Sequence, residues 1–171
     1  MKTSVFSARK LCYVALFTAL NIVLSSFGVP VPGGHRYLND NVICFAALLF
    51  DPLSAFIVGG VGAFFGDLIF YPLPMFVSLA THGLQAVAIS LIAGKKESLP
   101  KVPRAILAVT VGAVIMVAGY SLGRAFIYST PEYAILKLPY QILQAATGAI
   151  VGTVLLYKTP VRRLVYKIPK E

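Results

Sequence analysis

Long apolar stretches separated by short polar segments occupy almost the whole chain. Five apolar blocks cover residues 11–27, 42–70, 75–93, 105–128 and 138–157. A transmembrane helix needs about 20 predominantly apolar residues, so each block is long enough, or nearly so, to cross a bilayer. The pattern therefore predicts an all-α integral membrane protein.

The positive charges between and beyond these blocks are unevenly distributed. Twelve of the fifteen Lys and Arg residues fall in three clusters, namely Lys2, Arg9 and Lys10; Lys95, Lys96, Lys101 and Arg104; and Lys158, Arg162, Arg163, Lys167 and Lys170. Clusters of Lys and Arg beside membrane spans mark the cytoplasmic side. We therefore expect all three clusters to lie in the cytoplasm.

This sidedness determines how many times the chain crosses the membrane. A single helix over 42–70 would give five spans and would place the second and third clusters outside. Breaking that block at Asp51-Pro52, a turn-forming pair whose proline can begin a helix, gives six spans. The prediction is a six-transmembrane-helix bundle with both termini cytoplasmic and one transmembrane domain over 1–171. The expected spans are 9–27, 39–51, 52–71, 75–93, 104–128 and 138–158.

The second of these spans is too short to cross alone and needs shielding by its neighbours. Composition supports the membrane assignment, because 58% hydrophobic and 12% charged residues with a mean hydropathy of +0.82 do not fit a soluble domain. The net charge of +9 is explained by topology and attraction to anionic lipid headgroups, without a nucleic acid partner. Cys12 and Cys44 show no disulfide or metal pattern, and no cofactor or cleavable signal peptide is expected.

Polar residues inside the spans gather toward the predicted outer side. Once the helices are oriented, a rise of about 1.5 Å per residue places these side chains by depth. The inner halves carry mainly Gly and Ala. The outer group consists of Asp67, Tyr71, Thr81, His82, Gln85, Tyr120, Arg124, Gln141 and Gln144. Residues three or four apart share a helix face, so the pattern predicts a polar cavity open to the outside.

The segment 28–41 precedes the short second span and carries His35, Asn39 and Asp40. Its length and chemical variety favour a lid over the cavity, and the alternative is a plain connector. For the polar groups within the helices, the alternative is hydrogen bonding between helices. Asp67 and Arg124 are costly inside a membrane and are functional candidates by default, although they could pair with each other or reach the interface.

Motifs for catalysis are missing from the sequence. It contains no phosphate-binding G-x-x-x-x-G-K-[ST] loop, no G-x-S-x-G and no H-E-x-x-H. We therefore expect neither an enzyme nor an ATPase, no catalytic residues and no metal site. A binding or transport role is favoured, and the alternatives are a stand-alone secondary carrier or facilitator and a non-transport membrane scaffold.

Short motifs distributed over most of the chain resemble those of a known family, the substrate-binding S components of energy-coupling factor vitamin transporters. Each motif is weak, and their order and spacing carry the resemblance. The motifs are Ala15-Leu16-Phe17-Thr18-Ala19; Pro32-Gly33-Gly34-His35 leading to Asn39-Asp40; Asp51-Pro52-Leu53-Ser54-Ala55; Gly59-Gly60-Val61-Gly62 ahead of Gly66-Asp67-Leu68; Gly119-Tyr120; and Leu138-Pro139-Tyr140-Gln141-Ile142-Leu143-Gln144.

The resemblance implies a subunit of a prokaryotic plasma-membrane importer that binds a small water-soluble vitamin or precursor from outside. It further implies a transmembrane coupling protein and two ATPase subunits as partners. Ala15 and Ala19 would form the docking face for the coupling protein. The likeness is closest to the riboflavin, pyridoxine and hydroxymethylpyrimidine branch. The sequence departs from the family pattern at Asp51, Gln141 and Arg124, and a pocket-lining Arg124 would favour an anionic or strongly hydrogen-bonding ligand over a cation such as thiamine.

Overall fold

The computed structural model describes residues 8–32, 34–94 and 98–166, and this part of the chain is mostly helical. Gly33 of the predicted lid and Lys2, Lys95, Lys96, Lys167 and Lys170 of the charge clusters lie outside the described residues. The helices are α1 Ala8–Ser25, α2 Asn39–Leu49, α3 Pro52–Phe70, α4 Met75–Ala93, α5 Val102–Tyr128, α6 Pro131–Lys158 and α7 Val161–Tyr166, and the strands are β1 Gly28–Val31 and β2 Gly34–Tyr37.

Five of these helices, α1, α3, α4, α5 and α6, are long and apolar enough to cross a membrane. This finding confirms a helical multi-pass membrane protein. Helix α2 has 11 residues and rises about 16 Å, roughly half of the hydrocarbon thickness. It lies at the centre of the bundle, in contact with α1, α4 and α6, and ten of its residues are buried. Its neighbours therefore provide the shielding that its length requires.

The break between α2 and α3 falls at Asp51-Pro52, as expected from the sequence. The Asp51 side chain caps α3 by accepting hydrogen bonds from the backbone N–H of Ser54 (3.3 Å) and from its hydroxyl (2.9 Å), and Pro52 begins the helix. Lys10 of α1 forms an ion pair with the same carboxylate. The Asp51 carboxylate is thus satisfied by donors from both α1 and α3. The ion pair thereby joins the turn between α2 and α3 to helix α1.

Helix α3 contains a π-helical turn over Ile57–Val61, and the buried Asn21 of α1 lies next to it. A π turn displaces carbonyl groups from ordinary helical hydrogen bonding. The Asn21 side-chain amide donates to the carbonyl oxygens of Val58 (2.6 Å) and Gly59 (3.3 Å). Asn21 is fully buried, so its role in the fold is to satisfy this irregular backbone.

Two parts of the fold differ from the sequence expectation. The segment 28–41 contains an antiparallel hairpin, β1 paired with β2, so the chain is not entirely α-helical. Gly34 has φ +135°, a backbone conformation that other residues rarely adopt. Helix α6 begins at Pro131 instead of near residue 138, because the Thr130 side chain accepts a hydrogen bond from the Tyr133 N–H and Pro131 suits the first helical position.

Helices α2 and α6 approach closely at two glycines, and this contact makes a first prediction. A Cβ atom added at Gly152 would lie 2.7 Å from the Cys44 Cβ and 2.8 Å from the Phe45 backbone nitrogen. Because the backbone atom cannot move aside, Gly152→Val should lower the free energy of unfolding by about 1–3 kcal/mol.

Thermal unfolding in detergent can be followed with a thiol-reactive fluorescent dye that reports exposure of the buried Cys44, in a Cys12→Ser background. Ala146→Val, on an exposed position of the same helix, is the matched control, and an equal midpoint for both variants would contradict the close contact.

Candidate ligand-binding site

A cavity of about 190 Å³ lies at the end of the bundle that carries the hairpin, called here the hairpin end. It is bounded by β2, the first residues of α2, α4 and α6, and the last residues of α3 and α5. Nine of the twelve side chains predicted to bind a ligand line it: His35, Asn39, Asp67, Tyr71, His82, Tyr120, Arg124, Gln141 and Gln144. The structure therefore brings together residues from six separate elements.

The other three predicted residues lie behind the cavity wall. Asp40 and Gln85 are completely or almost completely buried and contact the lining residues from beneath. Thr81 packs between α4 and α5, where a Cβ added at Gly119 would lie 2.5 Å from its hydroxyl oxygen. Thr81 and Gln85 therefore contact neighbouring helices and do not line the cavity, which corresponds to the alternative considered for polar groups within the helices.

Asp40 is the centre of a hydrogen-bond network beneath the cavity. Its carboxylate accepts from the side-chain amide of Gln144 at 2.6 Å and from that of Gln85 at 3.2 Å. The oxygen of the Gln85 amide lies 2.7 Å from Nδ1 of His82. A buried carboxylate is tolerated when several donors satisfy it, and these contacts hold both amides and the imidazole in fixed orientations.

A second polar group forms the wall on the side of α3, α4 and α5. The Ser78 hydroxyl donates to the Asp67 carboxylate and also contacts the Tyr120 hydroxyl at 2.5 Å. The Tyr120 ring meets the imidazole of His82 edge to face, with ring centroids 5.1 Å apart. Asp67 and His82 are thus connected through Ser78 and Tyr120, and the wall combines a carboxylate with aromatic surface.

Hydrogen bonds that involve residues 35, 36 and 37 of β2 attach the hairpin to α6. The Tyr37 N–H donates to the Gln144 side-chain oxygen at 3.0 Å, and the Arg36 guanidinium donates to the Thr147 hydroxyl at 2.8 Å. The Lys137 ammonium donates to the His35 carbonyl. Burial raises the pKa of Tyr37, and the negative charge of Asp67 adds to the effect. The hairpin therefore lies in contact with the cavity and covers it.

Sequence reasoning missed six lining residues: Gly34, Tyr37, Pro74, Met116, Tyr128 and Lys137. One signal was available for Lys137. Outside the three clusters of Lys and Arg named above, the chain has three basic residues, Arg36, Arg124 and Lys137, and all of them lie at the hairpin end. Lys137 is 3% exposed. A basic residue that topology does not explain was thus a candidate for the site.

Two further polar side chains of the cavity wall are those of Asn39 and Arg124. Asn39 is 6% exposed, and its side-chain oxygen has no hydrogen-bond partner among the described residues. Arg124 lies over the ring of Tyr128 at 5.4 Å from its centroid. Asn39 and Arg124 thus form part of the polar surface of the cavity.

The residues predicted to dock a partner lie on a different surface. Ala15 and Ala19 are both exposed on α1. They are flanked by the exposed side chains of Leu16 and Leu20. Alanines one helical turn apart allow another helix to approach closely. Helix α1 therefore presents an apolar face with a smooth central strip.

Comparisons with known proteins agree with this architecture. The family model described as "ECF-type riboflavin transporter, S component" matches residues 5–160. The chain is 32% identical over 152 residues to the thiamine precursor transporter HmpT of Lactococcus lactis subsp. cremoris, covering 86% of this chain and 85% of that protein. It is 30% identical over 136 residues to an uncharacterized protein in the gap 3′ region of Pyrococcus woesei, covering 78% and 89% of the two chains. The predicted family is confirmed: the chain belongs to the S components of ECF-type riboflavin transporters, a family of transporter subunits and not of enzymes.

Proposed function

We propose that this protein is the substrate-specific binding subunit of an ATP-driven energy-coupling factor importer. It captures a small water-soluble vitamin or vitamin precursor, of the hydroxymethylpyrimidine, pyridoxine or riboflavin type, from outside a prokaryotic cell. The observation that carries the proposal is the cavity at the hairpin end, in which nine side chains chosen from the sequence converge. Similarity to a thiamine precursor transporter supports a ligand of this size and polarity.

The proposed topology has six spans, 9–27, 39–51, 52–71, 75–93, 104–128 and 138–158, in one domain with both termini cytoplasmic. Support comes from the distribution of charge along the described helices. Arg9 and Lys10 begin α1, Arg104 lies in the first turn of α5, and Lys158 ends α6. All of these lie at the end opposite the hairpin, and the positive-inside rule thereby supports an outward-facing cavity.

Energy for uptake is assigned to two ATPase subunits and a transmembrane coupling protein, and the coupling protein docks on the face of α1 around Ala15 and Ala19. The ligand stays within the cavity until that complex acts on the binding subunit. This division of labour agrees with the sequence, which has no phosphate-binding loop of its own.

Ligand titration of the purified chain tests the proposal. Hydroxymethylpyrimidine, pyridoxine and riboflavin are added separately, and the thermal midpoint is recorded with the dye assay. At least one is expected to raise the midpoint in a concentration-dependent manner. Thiamine is the matched negative control, because Arg124 and Lys137 line the cavity and disfavour a cation. Failure of the entire panel to stabilise a folded protein would contradict the proposal.

Vesicle experiments separate this function from its alternatives. Vesicles that contain only this chain should bind ligand without sustained uptake. Uptake by the chain alone, abolished by a proton or sodium uncoupler, would instead show a stand-alone carrier. A stable protein partner without any ligand would show a membrane scaffold.

A further inference from the structure

A second cavity, of about 270 Å³, lies at the end of the bundle opposite the hairpin and is called here the basic pocket. It is enclosed by the last turn of α6, by α7 and by the loop that precedes α5. Lys158, Arg162 and Arg163 line it, and none of the described residues that line it is acidic. Sidedness accounts for cations at this end of the bundle. It does not require that three of them converge on one concave space.

Contacts on both sides of the basic pocket hold its walls in place. Helix α7 packs across the end of the bundle, where Val165 is buried and the Tyr166 hydroxyl donates to the Leu49 carbonyl at 3.0 Å. On the other wall, the Tyr157 hydroxyl donates to the Pro100 carbonyl at 2.6 Å and attaches the loop to α6. Cations held close together repel one another, so this arrangement favours an anion between them. Phosphate suits the donors, because Arg and Lys both bind its oxygens.

An apolar groove of about 910 Å³ runs between α5 and α6 and ends beside the basic pocket. Along α6 its lining extends from Leu138 to Val154, a rise of about 24 Å. Tyr157 and Lys158 of the basic pocket follow Val154 by three and four residues, so they lie on the same face of the helix. The two surfaces therefore adjoin, and together they are apolar along their length and basic at one end.

The bilayer determines which molecule meets both surfaces. Helices α5 and α6 are long and apolar enough to cross a membrane, so lipid chains surround a groove on their outer surface. One leaflet of hydrocarbon is about 15 Å thick, which corresponds to about ten residues of helix. An acyl chain that starts beside Lys158 therefore reaches Ala149, along the stretch lined by Ile150 and Val154 on α6 and by Ile106 on α5. A soluble anion would occupy the basic pocket alone and leave the groove empty.

We infer that the basic pocket and the adjoining half of the groove bind one phospholipid with an anionic headgroup. Its phosphate lies against Lys158 and Arg163, and one of its acyl chains lies between α5 and α6. Both basic side chains are exposed and thus accessible to a headgroup. Basic pockets between transmembrane helices on the cytoplasmic side are typical sites for anionic headgroups. The lipid belongs to the cytoplasmic leaflet under the proposed topology, and its binding does not involve the vitamin cavity at the hairpin end.

Native mass spectrometry of the purified chain tests the inference. Phosphatidylglycerol and phosphatidylcholine with identical acyl chains are added in equal amounts, and the lipids that stay bound are counted. One phosphatidylglycerol is expected to be retained in preference, because the two lipids differ in net charge but not in their chains. Lys158→Gln combined with Arg163→Gln should reduce this preference by about 10-fold, since each basic residue near a membrane surface attracts an anionic lipid by a factor of about five before screening by salt.

Arg9→Gln combined with Lys101→Gln is the matched control. It removes the same charge from exposed positions at the same end of the bundle, outside the basic pocket, and should keep the preference. An equal loss in both double variants would overturn the inference, because it would show diffuse attraction to the basic end. Equal retention of the two lipids by the unsubstituted chain would also overturn it, and would leave an acidic segment of a partner protein as the occupant of the basic pocket.

A competition experiment separates a lipid from a soluble phosphate ester. Glycerol 3-phosphate carries an anionic phosphate without acyl chains, and at millimolar concentration it should leave the bound phosphatidylglycerol in place. Displacement would overturn the lipid inference and indicate a site for a free phosphate ester. In the dye assay, phosphatidylglycerol should raise the thermal midpoint of the unsubstituted chain more than that of the variant at Lys158 and Arg163. An equal rise in the two proteins would contradict binding at the basic pocket.

Discussion

Asp40→Asn is expected to weaken ligand binding by about 100-fold. Asp40 accepts hydrogen bonds from the amides of Gln85 and Gln144, and an asparagine would place its own NH₂ group against one of them. Hydrogen bonds to charged groups contribute about 1.5–3 kcal/mol each, and a loss of about 3 kcal/mol corresponds to a factor of about 100 in affinity. The change does not touch the ligand directly, so it reports on how the network orients the cavity wall. Calorimetric titration with the pyrimidine measures it.

Asp51→Asn is the matched control, because Asp51 is also a carboxylate with several hydrogen bonds but lies at the opposite end of the bundle. It should reduce stability and leave ligand affinity unchanged. Both titrations are performed well below the measured unfolding midpoint of each variant, so that partial unfolding does not imitate weak binding. Unchanged affinity in Asp40→Asn would show that the network supports the fold alone.

Replacing both Ala15 and Ala19 by leucine is expected to reduce energised uptake to the level of vesicles without transporter. Both alanines are exposed on α1, and two isobutyl groups would prevent a partner helix from approaching closely. Ligand affinity should stay within about twofold, because substitutions on an exposed surface rarely change stability by more than about 0.5 kcal/mol. Uptake of labelled ligand with the complete complex and binding to the purified subunit are measured in parallel.

The control for that experiment carries the same change on a different surface. Ala118 and Ala146 are exposed on α5 and α6, so leucine at both positions should preserve uptake as well as binding. A docking face on α1 would be contradicted if the Ala15 and Ala19 variant lost binding together with uptake, or lost neither. Loss of uptake in the control would indicate a wider contact surface.

The hydrophobic pattern predicted the helices of the fold because it is a local property of the sequence. Four of the five apolar blocks became one helix each, and the block over 42–70 was divided at Asp51-Pro52 into two helices. The hairpin was missed because Pro30 and Pro32 disfavour a strand in the usual reading. The early start of α6 was missed because the segment after its capping residue, Thr130, contains charged residues and was interpreted as a loop.

The sequence indicated which polar side chains converge on one cavity but not which of them contact one another. Helix direction and depth were enough to bring nine candidate residues to one cavity. Which of them contact one another depends on helix rotation and on distant parts of the chain, since Asp40 meets Gln85 and Gln144 across separations of 45 and 104 residues. Nothing local in the sequence specifies those partners, and Lys137 was overlooked because it lies one residue before the predicted start of its helix.

The side-chain amide of Gln144 connects the cavity floor to the hairpin. Its nitrogen donates to the Asp40 carboxylate, and its oxygen accepts from the backbone N–H of Tyr37. Lifting the hairpin removes the donor from that oxygen and lets the amide turn, and this loosens the group that holds the carboxylate. Under the proposed function, movement of the hairpin would therefore weaken the hydrogen bonds beneath the cavity as well. A bound vitamin would then dissociate slowly while the hairpin is in place, and a coupling complex would release it by moving the hairpin away from Gln144.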